Sequence, residues 1–158
     1  MTGKIVNKQE LVEKITELKA NGKKIVATSG CFDIIHAGHV TYLEEARKLG
    51  DCLVVLLNSD SSVKALKGES RPINTEAERA IVIAGLASVD YVCVFSELTP
   101  CDMYEAFQPD IVSKGGDYAG KHIPEMDVVE PYGGCVKYLS LVDNCSTTDI
   151  INKIQSNN

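Results

Sequence analysis

Two histidines, His36 and His39, stand three residues apart in the stretch Gly30-Cys31-Phe32-Asp33-Ile34-Ile35-His36-Ala37-Gly38-His39. At the start of a helix that spacing puts both imidazoles on one face. The first N–H groups of a helix have no partner inside it. Ring donors beside free backbone N–H groups and a positive dipole end suit a phosphoryl group that gains negative charge in a transition state. Gly38 keeps the space between the two rings open. A metal site is the competing reading. It needs a third ligand such as Asp33 or His122, and nothing in the spacing enforces one. Two structural histidines in a capped turn are the third reading. The isolated His122 reads as a surface-loop residue.

The surrounding elements must hold this stretch in place. Before it runs an apolar strand at about 25–28, and after it a helical pattern with Val40, Leu43, Ala46 and Leu49 that stops at Gly50. Ahead of both, Asn7 caps a helix carrying Leu11, Ile15 and Leu18 that ends near Asn21-Gly22. Residues 52–57 are continuously apolar, as expected of a parallel strand buried on both faces. Further strands are expected at 91–95, 111–113 and 136–141, and helices at 61–66, 76–86, 101–107 and 146–154. Strand and helix alternate throughout, which implies right-handed crossovers and a Rossmann-like α/β fold. The expectation is a parallel sheet of about five strands with helices on both faces, in one domain over 1–158. Within it, 1–22 forms an N-terminal helix and 24–155 the catalytic core. Polar and glycine-rich loops follow four strands, at 29–39, 58–60, 114–118 and 143–148. Ligands of such sheets bind at the carboxyl ends of the strands, near a topological switch point.

Composition narrows the class of partner. The chain has 158 residues, 44% hydrophobic and 24% charged, as in ordinary globular proteins. A net charge of −6 argues against nucleic acid as the main partner. Local Lys, Arg and His can still bind a small anion. None of the six cysteines forms a C-x-x-C pair, so reduced structural thiols are expected. There is no signal-peptide core and no apolar run of about 18 residues, so the expected protein is cytoplasmic and free of membrane.

The form Gly-x-Phe-Asp-x-x-His-x-Gly-His resembles the H-x-G-H signature of the cytidylyltransferase-like nucleotidyltransferase superfamily. The likeness covers about Lys24 to Ile154. Three further segments fit in order: Arg71-Pro72 with Glu78-Arg79, Lys114-Gly115-Gly116-Asp117-Tyr118, and Cys145-Ser146-Thr147-Thr148. The last two are most similar to the branch that adenylylates D-glycero-β-D-manno-heptose 1-phosphate. That activity is often fused behind a sugar kinase, for which 158 residues leave no room. A stand-alone transferase is therefore expected.

The resemblance implies roles for particular residues. Backbone N–H groups of Cys31 and Phe32 would meet the nucleotide phosphates, beside Gly38. His36 and His39 would stabilise charge at the α-phosphate. Lys64 or Lys67, and Arg79, would reach the triphosphate. Gly115, Gly116 and Asp117 would border the nucleotide, and Ser146, Thr147 and Thr148 would grip phosphate at the start of the final helix. Asp33, Asn58 and Asp60 would take sugar hydroxyls. Plainer readings stand beside these. Lys64 and Lys67 suit a solvated helix face, and Arg79 suits a pair with Glu76 or Glu78. Gly115-Gly116 suits a turn, Ser146-Thr147-Thr148 an ordinary cap, and Asp33 an Asx-turn brace. Tyr118 is open between base stacking and packing.

The implied reaction is in-line attack of a sugar phosphate on the α-phosphorus of ATP, expelling pyrophosphate. A phosphate monoester has a second pKa near 6, so no general base is needed and Cys31 is not a nucleophile. Mg²⁺ would accompany ATP, held by triphosphate oxygens and water rather than by protein side chains. Relatives that use CTP with glycerol or choline phosphate commonly carry an arginine five residues before the Ser-Thr-Thr motif. Leu141 stands there, which favours ATP. The alternatives are a CTP-dependent transferase for a polyol or amino-alcohol phosphate, an FMN adenylyltransferase, and a nucleotide sensor without turnover. A homodimer is expected from the habit of the family and the apolar residues of the 76–86 helix.

Overall fold

The computed structural model describes residues 2–158. Five parallel strands form one sheet: β1 (Ile25–Gly30), β2 (Cys52–Asn58), β3 (Tyr91–Phe95), β4 (Ile111–Gly115) and β5 (Cys135–Leu139). Their spatial order is β3-β2-β1-β4-β5. The helices are α1 (Lys8–Ala20), α2 (Ala37–Arg47), α3 (Asp60–Lys67), α4 (Glu76–Ala84), α5 (Cys101–Phe107), α6 (Pro124–Val129) and α7 (Thr147–Ser156). This is the expected Rossmann-like architecture.

Strand alternation builds two cores, one on each face of the sheet. On β2, Cys52, Val54 and Leu56 join Ile25 and Ala27 of β1 in a layer under α1 and α5. Leu53, Val55 and Leu57 join Val26 in a second layer with Leu43 and Ala46 of α2 and Ala80, Ile83 and Ala84 of α4. Every residue of β2 is buried, which is why its sequence shows no polar alternation. Aspartates close the strand entries. Asp110 Oδ2 accepts from Ile25 N at 2.7 Å, and Asp90 Oδ2 from Leu53 N at 2.8 Å. Helix α1 opens with a complete capping box between Asn7 and Glu10. At the outer edge of the sheet Ile5 bridges Val92 in parallel, and Val6 N donates to Val92 O at 3.0 Å.

Three differences from the sequence reading bear on the site. Helix α2 starts at Ala37, with His36 as its N-cap, three residues before the apolar periodicity begins. Its first turn faces the cleft and carries no apolar marker. Strand β5 runs over Cys135–Leu139 and is only half-buried, with an exposed Cys135 and Lys137. Helix α6 has no counterpart among the expected elements. One and a half turns with a proline at the first position are too short to display a period.

Candidate active site

The carboxyl ends of β1, β2, β3 and β4 open into one cleft of about 1040 Å³. It lies over the switch point, where the chain crosses from the β1–β3 half of the sheet to β4. Its wall includes Cys31, Phe32, Asp33, His36, Gly38, His39, Asn58 and Lys67. It also includes Gly115, Asp117 and the segment 141–149, which contains Ser146, Thr147 and Thr148. Most of the residues singled out from the sequence are therefore brought together. Lys64, Asp60, Arg79 and Gly116 are not on this wall.

The two histidine rings stack, with centroids 3.8 Å apart and planes at 23°. Phe32 meets His39 edge-on at 5.3 Å. Both Nδ1 atoms are buried without a hydrogen-bond partner. His36 caps α2 with its backbone carbonyl only, which accepts from His39 N and Val40 N. The N–H groups of Ala37 and Gly38 therefore have no acceptor among the described residues. Gly38 is required by close approach. A Cβ there would lie 2.9 Å from Cβ of Cys145 and 3.0 Å from the His36 ring. The missing side chain lets the 141–149 segment and the His36 ring close on the helix mouth.

Electrostatics keep this pair neutral. Burial, and after it the neighbouring His36, pushes the His39 imidazole down to about 4. Burial also holds His36 below the ordinary histidine range. The sign for stability follows. An unfolded chain protonates His39 below pH 6.5, while the folded chain refuses that proton until about pH 4. The contribution is full above pH 6.5 and is lost as pH falls through that window. The unfolding free energy is expected to drop between pH 7 and pH 5, with a shallower drop in His39→Asn. Urea melts at both pH values measure this, and parallel slopes for the two proteins would refute it.

The loop between β1 and the histidines is strained and firmly held. Phe32 and Ile34 have φ of 45° and 40°, a region that β-branched and bulky side chains avoid. Such strain persists where the surroundings over-determine it. Asp33 supplies one anchor. Its Oδ2 accepts from Arg71 Nε at 2.9 Å and Ile73 N at 2.8 Å, and its Oδ1 from Asn74 N at 3.0 Å. Burial alone would raise the Asp33 carboxyl. These donors outweigh it and hold the group below its usual range.

Arg79 supplies the second anchor. Its side chain is 1% exposed. Nε donates to Asn74 O at 3.0 Å, Nη1 to Cys31 O at 2.7 Å and Asn58 O at 2.8 Å, and Nη2 to Asp60 Oδ1 at 2.8 Å. Four acceptors from three segments hold four of the five N–H donors of this guanidinium inside the protein. It pairs with neither Glu76 nor Glu78. The residues expected to take sugar hydroxyls are already engaged within the protein. The Asp33 side chain has no exposed surface and acts as the brace. Asn58 donates its amide to Ser62 Oγ at 2.9 Å. Asp60 is held by Arg79.

The remaining wall combines elements distant in sequence. Lys114 pairs with Glu125 of α6 at 2.6 Å and lies 5.3 Å from the Tyr118 ring centre. Tyr42 of α2 joins Thr28 Oγ1 at 2.9 Å and Ser113 Oγ at 3.0 Å, spanning the β1–β4 switch point. Ser146 caps α7 by accepting from Asp149 N at 3.0 Å, and Thr147 Oγ1 donates to Asp33 O at 2.9 Å. Burial raises the Cys31 thiol despite Lys67, Arg79 and Arg71 nearby, so it is a poor nucleophile. Sequence reasoning missed Glu125, Tyr42 and the position of Arg71. Tyr42 had a signal, since it sits three residues after His39 on the same helix face. Among the described residues no group of three or more His, Cys, Asp or Glu side chains is placed to hold a metal ion. No helix among them is long and apolar enough to cross a membrane.

Sheet order and switch point define a Rossmann-like α/β protein. The cytidylyltransferase-like family model matches residues 27–153, and the chain belongs to that family. "Bifunctional protein HldE" of Haemophilus ducreyi is 53% identical over 152 residues, covering 96% of this chain and 32% of that protein. Its namesake in Hahella chejuensis is 52% identical over 147 residues, covering 93% and 31%. The chain thus spans about a third of the length of these curated relatives. The lipopolysaccharide core biosynthesis protein of Thermoplasma volcanium has a solved structure. It superposes with a TM-score of 0.62 at 32% identity, covering 77% of this chain and 98% of that one. Pantothenate synthetase from Thermus thermophilus gives a TM-score of 0.56 at 15% identity, covering 86% and 65%, a likeness of fold alone.

Proposed function

We propose that this chain transfers AMP from ATP to D-glycero-β-D-manno-heptose 1-phosphate, giving ADP-heptose and pyrophosphate. The observation that carries the reading is the neutral, stacked His36–His39 pair with unpartnered ring nitrogens, set beside the unpartnered N–H groups of Ala37 and Gly38. A phosphate oxygen of the acceptor forms the new bond to the α-phosphorus. The bond to the β-phosphate oxygen breaks, and its electron pair leaves with pyrophosphate. The protein's part is to align the two phosphates and stabilise the developing charge. His36 and His39 donate toward the α-phosphate, and backbone at Cys31 and Phe32 borders it. Lys67, Ser146, Thr147 and Thr148 surround the rest of the triphosphate. Magnesium is part of the substrate, carried in on ATP and coordinated by its oxygens and water. The fixed carboxylates of Asp33 and Asp60 suit that arrangement, because each already holds an arginine.

Identity of about half to proteins named HldE supports the heptose acceptor, as does the lipopolysaccharide core biosynthesis protein among similar structures. ATP is favoured because Leu141, apolar and on the cleft wall, occupies the place of the CTP-type arginine. Gly115, Gly116 and Asp117 border the nucleotide at the end of β4. A cytoplasmic homodimer completes the reading, with half-exposed Ile81 and Val82 of α4 as the surface for a second copy. Pyrophosphate release assayed with ATP and CTP over heptose 1-phosphate, glycerol 3-phosphate and FMN tests the substrates. The expected result is release only with ATP and heptose 1-phosphate, with ADP-heptose identified by mass spectrometry. Preference for CTP would overturn the reading.

A further inference from the structure

Arg71 is the arginine of the 71–79 segment whose charge reaches the cleft. It lies between Gly68, which ends α3, and Thr75, which caps α4. Its side chain is 11% exposed and lines the same wall as His36, His39 and Lys67. Only Nε is committed, to the buried Asp33 carboxylate at 2.9 Å. The two terminal amino groups make no hydrogen bond to any described residue, yet neither is among the buried atoms left without a partner. They are therefore open to the cleft. Arg79 is the reverse case, with Nε, both Nη1 donors and one on Nη2 committed inside the protein.

A guanidinium held at Nε by a carboxylate has its plane set in advance. The free fork then presents parallel N–H groups, a geometry that matches two oxygens of one phosphate. Little side-chain entropy remains to be lost on binding. Asp33 also accepts from Ile73 N and Asn74 N, so the carboxylate that orients the guanidinium is itself fixed in place.

We infer that Arg71 is a phosphate-binding residue, its fork taking either the end of the triphosphate that leaves as pyrophosphate or the phosphate of the sugar acceptor. This rests on the nucleotidyl-transfer reading, but its test does not need turnover. Wild-type protein, Arg71→Met and Arg71→Lys are titrated calorimetrically with inorganic pyrophosphate, with heptose 1-phosphate, and with adenosine as a ligand that has no phosphate. Loss of charge-assisted hydrogen bonds is expected to weaken one phosphate ligand by about 10- to 100-fold in Arg71→Met, with adenosine unchanged. Arg71→Lys, which keeps the charge and loses the fork, should recover the affinity only in part. Weakening of pyrophosphate alone assigns the leaving end, and weakening of heptose 1-phosphate alone assigns the acceptor. Wild-type affinity for both in Arg71→Met overturns the inference. So does an equal loss for adenosine, which would mark Arg71 as merely structural. If Arg71→Met does not fold, Arg71→Lys decides, and full affinity there refutes the fork. Failure of the wild type to release pyrophosphate from ATP would sink the proposed reaction and leave this comparison standing.

Discussion

His39→Ala is expected to lower kcat for pyrophosphate release by about 10²- to 10³-fold, the usual effect of removing one preorganised donor to a developing charge. KM for ATP should change far less. The imidazole is neutral and half-buried, so it contributes little to holding a ground-state triphosphate from a distance. In the proposed reaction it offers a donor from a ring held by the His36 stack and the Phe32 edge contact. His39→Asn keeps a donor of shorter reach and should fall between the two. Steady-state kinetics over ATP concentration separate the cases. A variant that raises KM tenfold at constant kcat would make His39 a binding group and remove it from the transition state.

Replacing Arg79 is expected to act on stability first. Arg79→Met leaves the Cys31, Asn58 and Asn74 carbonyls and the Asp60 carboxylate without their shared donor. Breaking a buried charged contact from one side costs about 3–5 kcal/mol. The Asp60 side chain is 36% exposed, so water recovers part of that, and about 3 kcal/mol is expected. In a chain of this size that lowers Tm by roughly 10 °C. Arg79→Lys should not rescue it, because one ammonium cannot reach four acceptors placed around a plane. Activity should fall alongside, because the strained loop at Phe32 and Ile34 loses a tether. Denaturant melts combined with ATP kinetics test this. An Arg79→Met protein of unchanged stability with a selective rise in KM for ATP would return Arg79 to the triphosphate.

The contrast between Arg71 and Arg79 shows how far the sequence could be read. Motif order placed both near phosphate-binding residues. Which one faces the cleft depends on Cys31, Asn58, Asn74 and Asp60 meeting at one point, and no local pattern announces that. Local signals were sufficient elsewhere. The Asn7–Glu10 capping box, the unbroken apolar β2 and the Gly50 stop each follow from short-range chemistry. The strand alternation leads to the sheet, and the sheet leads to the cleft. Asp33 was ambiguous because an Asx-type brace and a substrate ligand demand the same residue type in the same loop. Glu125 was invisible because α6 is too short for a period, and its partner Lys114 lies on another element.

The parallel bridge of Ile5 to Val92 has a consequence for association between molecules. An outermost strand with unpaired N–H and C=O groups is a template for any extended chain, including another copy of itself. Val92 O is already taken by Val6 N, so strand addition along β3 is blunted near its start. The opposite border, β5, sets an exposed Lys137 among its residues, and a charge there discourages the same addition. Both flanks of the sheet thus resist pairing, one by occupation and one by charge.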